Sequence, residues 1–130
     1  MKQLVDKKCV DTLLELYEIY DRHRDSILWL LEDFDANDYE EYERKYAGAS
    51  KERFHCVTVC GFFELSGVLV NRHVIEADFY FDLFNPAPFW HKVRQVVDGM
   101  RKKRPHIYEN FELLNEKRIV WTKERRNGVD

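Results

Sequence analysis

The stretch FHCVTVCGFFELSGVLV, residues 54–70, is the longest apolar run in the chain and lies near its middle. It is too long for an ordinary strand and contains no strong turn signal, so its pattern favours a buried helix. Apolar or small residues recur every three or four positions and therefore share one helical face: Phe54, Val57, Gly61, Leu65 and Val68. Because Phe62, Phe63 and Leu69 lie outside that face, we expect this central helix to be covered on more than one side.

The composition is typical of one globular domain with a charged surface. Of the 130 residues, 45% are hydrophobic and 35% are charged, which excludes wholesale disorder and allows a real core. Three prolines and five glycines are too few to separate the many short strands of a sandwich or barrel. The sequence predicts an all-α fold, a single-domain helical bundle over residues 1–130 with a long N-terminal helix and a central apolar helix.

The net charge and the cysteines indicate the class of partner and the cellular compartment of the protein. The formal net charge of −3 argues against a generally basic nucleic-acid-binding protein. Cys9, Cys56 and Cys60 are an odd number in a chain without a secretion signal, so we expect free thiols in a reducing compartment. No run reaches the roughly 20 apolar residues that span a bilayer. These observations predict a cytoplasmic protein with no membrane span.

The N-terminal third predicts the long helix, from about Lys2 to Phe34, because its apolar residues recur mostly at threes and fours. The charged turn DRHRDS, residues 21–26, leaves two alternatives: the helix continues with a solvated face, or it bends there. A continuous helix would be about 50 Å long at roughly 1.5 Å per residue, wider than a compact domain of this size. The first helix is therefore a candidate surface for a homodimer.

Capping residues mark the next two helices. Ser50 is predicted to cap the central helix, and Asn37 or Asp38 to cap a short acidic helix that ends near Gly48. This short helix carries three tyrosines on one side: Tyr39, Tyr42 and Tyr46. Such spacing is typical of a lid packed on a bundle.

A further short helix is predicted after the central helix ends near residues 71–73. It covers residues 75–85, with Phe79, Leu83 and Phe84 facing inward. The residue before Pro86 avoids helical dihedral angles, so this helix ends there.

The last two helices follow from proline, charge and apolar spacing. The first of them begins at Pro86 or Pro88, and Pro105 ends it. Its apolar face is well formed: Phe89, Trp90, Val93, Val96, Val97 and Met100. The final helix spans about residues 106–121, and the charged tail at 122–130 is expected to be frayed.

Four segments within about residues 51–114 occur in one order: FFELSGVLV at 62–70, DFYFDLF at 78–84, FWHKVR around Trp90, and YENFELL at 108–114. In this order they resemble a family of small helical prokaryotic proteins known only as a domain of unknown function. Its members share the pattern FFE-x-x-G-x-L-V, then a tryptophan, then YENFE-x-L. The resemblance implies an all-helical single domain and no reaction.

The polar and amphipathic residues matched to these motifs form a candidate binding cluster: Glu64, Trp90, Arg94, Tyr108 and Glu112. A glutamate within an apolar helix must be paired or solvated if it is buried. We expect Glu64 to pair with Arg94, Arg101 or Arg104. Such a pair is either a salt bridge that ties two helices together or part of a ligand-binding pocket.

The sequence favours no metal, cofactor or catalytic residue. Cys56 and Cys60 share a helix face but lack the tight cysteine pairs of a structural zinc site. Glu52 and His55 form a single Glu-x-x-His motif, whereas a di-iron bundle needs two such motifs and two more carboxylates. The five histidines are scattered, and no serine or cysteine elbow or glycine-rich phosphate loop is present.

A basic patch at residues 101–106 offers an alternative function, since such clusters contact nucleic-acid phosphates. It consists of Arg101, Lys102, Lys103, Arg104 and His106. Arg101 and His106 also have the Arg-x4-His spacing of helical ribonucleases of the HEPN type, although Pro105 breaks the helix that those enzymes use.

The pattern therefore predicts a non-enzymatic helical protein-interaction or regulatory module, with an unknown protein or a second copy as partner. The alternative is an RNA-binding or RNA-cleaving helical protein that uses the basic patch at 101–106.

Overall fold

The computed structural model describes residues 6–127, which fold into seven α-helices with no strand among them. The predicted all-α class is thereby confirmed. The helices are α1 (Lys7–Arg22), α2 (Arg24–Glu32), α3 (Tyr39–Lys45), α4 (Lys51–Asn71), α5 (Ala77–Leu83), α6 (Ala87–Met100) and α7 (Glu109–Asn127).

The predicted central helix is α4, which makes its most extensive contacts with α7 and α2. Ser50 caps it as predicted, because its Oγ accepts the backbone N–H of Arg53 at 3.2 Å. The covered sides carry the buried residues, among them Val59, Phe63 and Val70. The helix is therefore a core element along most of its circumference.

The prediction of one long N-terminal helix is wrong, and the alternative of a bend at residues 21–26 is confirmed. His23 has a ψ of 27°, far from the roughly −42° of an α-helix, and separates α1 from α2. α2 packs along α4, whereas Tyr20 of α1 places its ring 5.4 Å from the rings of Phe62 and Phe84. The interruption lets the two helices bury their apolar residues against different parts of the core. Residues 2–5 of the predicted helix lie outside the described residues.

The tyrosine-bearing helix α3 packs on α6 as the lid that its spacing predicts. Asp38 is the cap, since its Oδ1 accepts the backbone N–H of Glu41 at 2.8 Å. Tyr42 and Tyr46 are buried. A Cβ added to Gly99 would overlap the side chain of Tyr39, so the glycine allows the two helices to approach closely.

α5 is shorter than predicted, and its inward face differs. Leu83 does not face inward as expected, because its side chain is 54% exposed; Tyr80 and Phe81 are buried instead. Phe84 faces inward as predicted and stacks 4.9 Å from the ring of Tyr80. The helix begins only at Ala77.

The predicted apolar face of α6 is confirmed, but its predicted end at Pro105 is wrong, because the helix ends at Met100 and turns follow it. The predictions for α7 are also partly wrong. All six residues of the predicted apolar face of α6 are buried. α7 begins at Glu109 rather than residue 106, because Tyr108 has a φ of 58°, which no interior helical residue adopts. Residues 122–127 of the predicted frayed tail are helical, and residues 128–130 lie outside the described residues.

The N-terminus of α7 docks on the C-terminal half of α4 through polar contacts and one glycine. Glu64 accepts the backbone N–H of Phe111 and the side-chain amide of Asn110, both at 2.9 Å. Asn71 Nδ2 donates to Asn110 Oδ1 at 3.1 Å. A Cβ on Gly67 would overlap the carbonyl group of Asn110, so only glycine permits this approach.

We predict that Gly67→Ala lowers the free energy of unfolding by about 1–3 kcal/mol, since the new methyl group overlaps backbone rather than a movable side chain. Gly61→Ala is the matched control, because its Cβ meets nothing within 4 Å. That control should raise the free energy of unfolding by up to about 1 kcal/mol through helix propensity. Urea denaturation of dilute protein measures both, and equal effects of the two substitutions would contradict the docking described.

We predict that Glu64→Ala destabilises the fold by about 1–3 kcal/mol, because it removes the acceptor of two donors at the N-terminus of α7. Glu15→Ala on the exposed surface of α1 is the control and should change the free energy of unfolding by less than about 0.5 kcal/mol. Hydrogen exchange of the first turn of α7 should accelerate in Glu64→Ala alone. An unchanged exchange rate there would contradict the capping role of Glu64.

Candidate functional site

The structure divides the predicted polar cluster into separate contacts. The expected pairing of Glu64 with an arginine is wrong, because its carboxylate is occupied by Asn110 and the N-terminus of α7. Arg101 instead pairs with Glu112, from Nη1 to Oε1 at 2.6 Å. The N-terminus of a helix carries partial positive charge and unpaired N–H groups, so it replaces the cation that the sequence suggested.

Tyr108 lies in the turn that precedes α7 and is half-buried. Burial raises the pKa of its hydroxyl above the ordinary tyrosine value. Its positive φ and burial together indicate a role in shaping the turn. Among the predicted residues, Tyr108 and Glu64 therefore serve the docking of α7.

The other three predicted residues, Trp90, Arg94 and Glu112, line one open cleft of about 500 Å³. The cleft lies between the start of α3, α6 and the first turns of α7. Acidic and basic side chains both line it. Sequence reasoning named Arg101 and Lys102 but missed three acidic lining residues: Asp38, Glu40 and Asp98. The signal for Asp98 was present, since it follows Arg94 by four residues and so shares its helix face.

The cleft is lined by charges of both signs, unlike a site that binds anions. Arg101 is held by Glu112, donates from Nε to the Ile107 carbonyl at 3.0 Å, and places its guanidinium 5.8 Å from the centre of the Trp90 ring. Its charge is thus largely matched within the fold. Arg94 and Lys102 line the same cleft together with acidic residues, and neither forms an ion pair with a described residue. Such a lining suits a polar segment carrying charges of both signs.

The basic patch follows the end of α6 in a series of turns. Lys102, Lys103 and Arg104 are exposed, and none of them forms an ion pair with a described residue. His106 is also exposed and contacts Glu109. Since Arg101 is bound to Glu112 instead, the structure gives Arg101 and His106 different acidic partners and does not join them in one site.

α4 presents an exposed apolar surface. We call this surface the α4 face; its members are Phe54, Val57, Gly61, Leu65 and Val68. Phe54 is 63% exposed, Val57 is 50% exposed and Leu65 is 42% exposed. The spacing in the sequence placed these residues together, but nothing in the spacing distinguished a buried face from an exposed one. Sequence reasoning therefore missed this surface as a candidate site.

By length and composition, α4 is the one described helix that meets the criterion for crossing a membrane. Core helices of globular domains meet the same criterion, and α4 is partly buried against α2 and α7. Its apolar character is thus explained on the covered sides by packing. The α4 face is the part that packing does not explain.

The remaining chemically active side chains are engaged in the core. Cys9, Cys56 and Cys60 are buried free thiols, in agreement with the prediction of free cysteines. The hydrogen bond between the two thiols of α4 lowers the pKa of Cys56 and raises that of Cys60. His55 Nδ1 lies 2.7 Å from Ser26 Oγ, which ties α4 to α2. Among residues 6–127, no group of three histidine, cysteine, aspartate or glutamate side chains is placed to hold a metal ion.

Comparison with known proteins supports the resemblance seen in the sequence. No curated protein and no solved structure matches the chain. A family model described as Domain of unknown function (DUF4760) matches residues 8–118, which include the 51–114 core and also the first three helices. The match spans most of the described residues, and the chain therefore belongs to the DUF4760 family.

Proposed function

We propose that this chain is a non-enzymatic protein-interaction module that binds its partner through the α4 face. The observation that carries the proposal is the exposure of Phe54, Val57 and Leu65 on the most apolar helix of the fold. Single exposed apolar residues are normal on protein surfaces, whereas aligned ones on a single helix are typical of binding sites.

The energetics favour a covered α4 face. Complete burial of a large apolar side chain contributes about 1.5–3 kcal/mol relative to an exposed one. The face presents three such side chains and no charge, so a partner gains this free energy without desolvating an ion. Helix-in-groove and helix-pair recognition use this spacing of three and four residues.

The cleft beside Trp90 supports the same class of function. Its lining of opposite charges is accessible and pre-formed, and such surfaces give orientation and specificity rather than affinity. We assign it to recognition of a polar segment of the partner. In this proposal the regulatory role follows from binding, and neither surface performs a reaction.

The second candidate function is binding of RNA or another nucleic acid by the basic patch. It is favoured by the exposure of Lys102, Lys103 and Arg104 without acidic partners among the described residues. RNA cleavage is disfavoured, because Arg101 is already held by three groups of the fold.

We predict that tagged protein, purified from the cells that express it, elutes in a complex of more than one protein chain without bound nucleic acid. Light scattering gives the mass, and ultraviolet absorbance reports nucleic acid. Leu65→Glu should abolish the complex by placing a charge on the α4 face. Leu83→Glu is the matched control, since Leu83 is exposed outside that face, and it should leave the mass unchanged.

Salt separates the two candidate functions. Apolar association persists as salt is raised, whereas binding to phosphates weakens steeply with salt concentration. A monomer that carries RNA and loses it with Lys103→Glu would contradict the proposed function. A monomer without any bound chain, unaffected by Leu65→Glu, would contradict it as well.

A further inference from the structure

Gly61 is a helical glycine for which the described residues show no local requirement. The other glycines of the described residues each have a local reason: Gly48 has a φ of 59°, and Gly67 and Gly99 lie against a neighbouring segment. A Cβ on Gly61 would meet nothing within 4 Å. Glycine in a helix interior costs about 1 kcal/mol relative to alanine, and no close contact with another described residue offsets that cost.

Gly61 lies at the centre of a symmetric pattern. Relative to it, the α4 face has Val57 and Leu65 at −4 and +4, and Phe54 and Val68 at −7 and +7. In an antiparallel pair of α4 helices with a two-fold axis at Gly61, a residue a given number of positions before Gly61 lies opposite the residue the same number of positions after Gly61 in the second copy. Val57 then meets Leu65 of the second copy, and Phe54 meets Val68. A partner of different sequence requires no such symmetry.

Charge also favours an antiparallel pair of α4 helices. No charged residue lies on the α4 face between Lys51 and Arg72. The dipoles of two antiparallel helices are complementary, whereas those of two parallel helices repel each other. Glu64 is directed to the N-terminus of α7 and so does not point at the second copy.

α1, which the sequence suggested as a dimer surface, is less suitable for self-association than the α4 face. α1 does present exposed apolar residues, Val10, Leu14 and Tyr17. These are flanked by charged residues of both signs, Lys7, Glu18 and Asp21, and Asp21 already pairs with Arg24. Self-association through α1 would desolvate these charges, whereas the α4 face carries none.

From these observations we infer that the α4 face binds a second copy of this chain in an antiparallel, two-fold pair that crosses at Gly61. The inference rests on the proposed function and names its partner. The missing Cβ lets the two helix backbones approach closely, so that the larger side chains on either side interlock. A single helix pair buries less than the roughly 1,200 Å² of a standard interface. The dimer is therefore reversible and depends on protein concentration.

Sedimentation of the untagged full chain over a range of concentrations tests the inference. The wild type should pass from monomer to dimer, and Gly61→Leu should raise the dimer dissociation constant at least about tenfold, which is about 1.4 kcal/mol. Leucine makes the face more apolar and improves helix propensity, so it retains the fold and does not reduce nonspecific adhesion. Loss of the dimer in this variant therefore shows that the two helix backbones must approach closely, and an unchanged dissociation constant overturns the inference.

Leu14→Glu distinguishes the two candidate helices. Leu14 is 60% exposed on α1, so the substitution leaves the core intact, and the dimer should persist in this variant. A dimer that is lost with Leu14→Glu and retained with Gly61→Leu would overturn the inference in favour of α1. A wild type that is monomeric alone, but forms a Leu65-dependent complex with another protein, would overturn the inference and leave the proposed function standing.

Disulfide cross-linking tests the antiparallel register. Under mild oxidation, a mixture of the Val57→Cys and Leu65→Cys variants should give a covalent dimer, and Val57→Cys alone should not. The native cysteines are buried, and the wild type under the same conditions is the control. A covalent dimer from Val57→Cys alone would indicate parallel helices and overturn the two-fold arrangement at Gly61.

Discussion

The docking of α7 on α4 is the constraint on which the rest of the structure depends. A carboxylate within an apolar helix is stable only with hydrogen-bond donors around it, and Glu64 finds them in Asn110 and the backbone of Phe111. These donors lie at one position of α7, and α7 can approach α4 closely there because Gly67 has no side chain. Burial alone would allow the two helices to slide, whereas this contact fixes their register. The turn at Tyr108 and the ion pair of Arg101 then follow from where α7 begins.

Local signals in the sequence were sufficient for much of the fold. Ser50 and Asp38 cap their helices as predicted, and the apolar spacing of α6 gave its buried face, because caps and periodicity act within a few residues. The partner of Glu64 was not predictable in the same way. It is a backbone N–H group 47 positions away in sequence, and a search for oppositely charged side chains does not find backbone donors. The charged turn at 21–26 left the break at His23 as one of two alternatives, since no glycine or proline marks it.

The candidate site shows the same division between local and long-range information. Periodicity placed Phe54, Gly61 and Leu65 on one face, but α4 is apolar nearly all round, so the sequence did not show which side stays exposed. That depends on where α2 and α7 pack. The sequence predicted only part of the cleft. Trp90 and Glu112 were named from motifs, but part of the acidic lining comes from α3, and no local pattern specified that α3 packs on α6.

The two surfaces left after these internal contacts differ in kind. In the basic patch Arg101 is neutralised by Glu112, and the net charge of the whole chain is negative, which weakens any long-range attraction for phosphates. The α4 face has no charge to match, and a Cβ on its glycine would meet none of the described residues. A helical glycine that lowers helix stability without a close neighbour among the described residues supports the proposed contact outside the fold. The symmetry of the residues around Gly61 makes a second copy the simplest molecule to provide that contact, since the same surface then serves both partners.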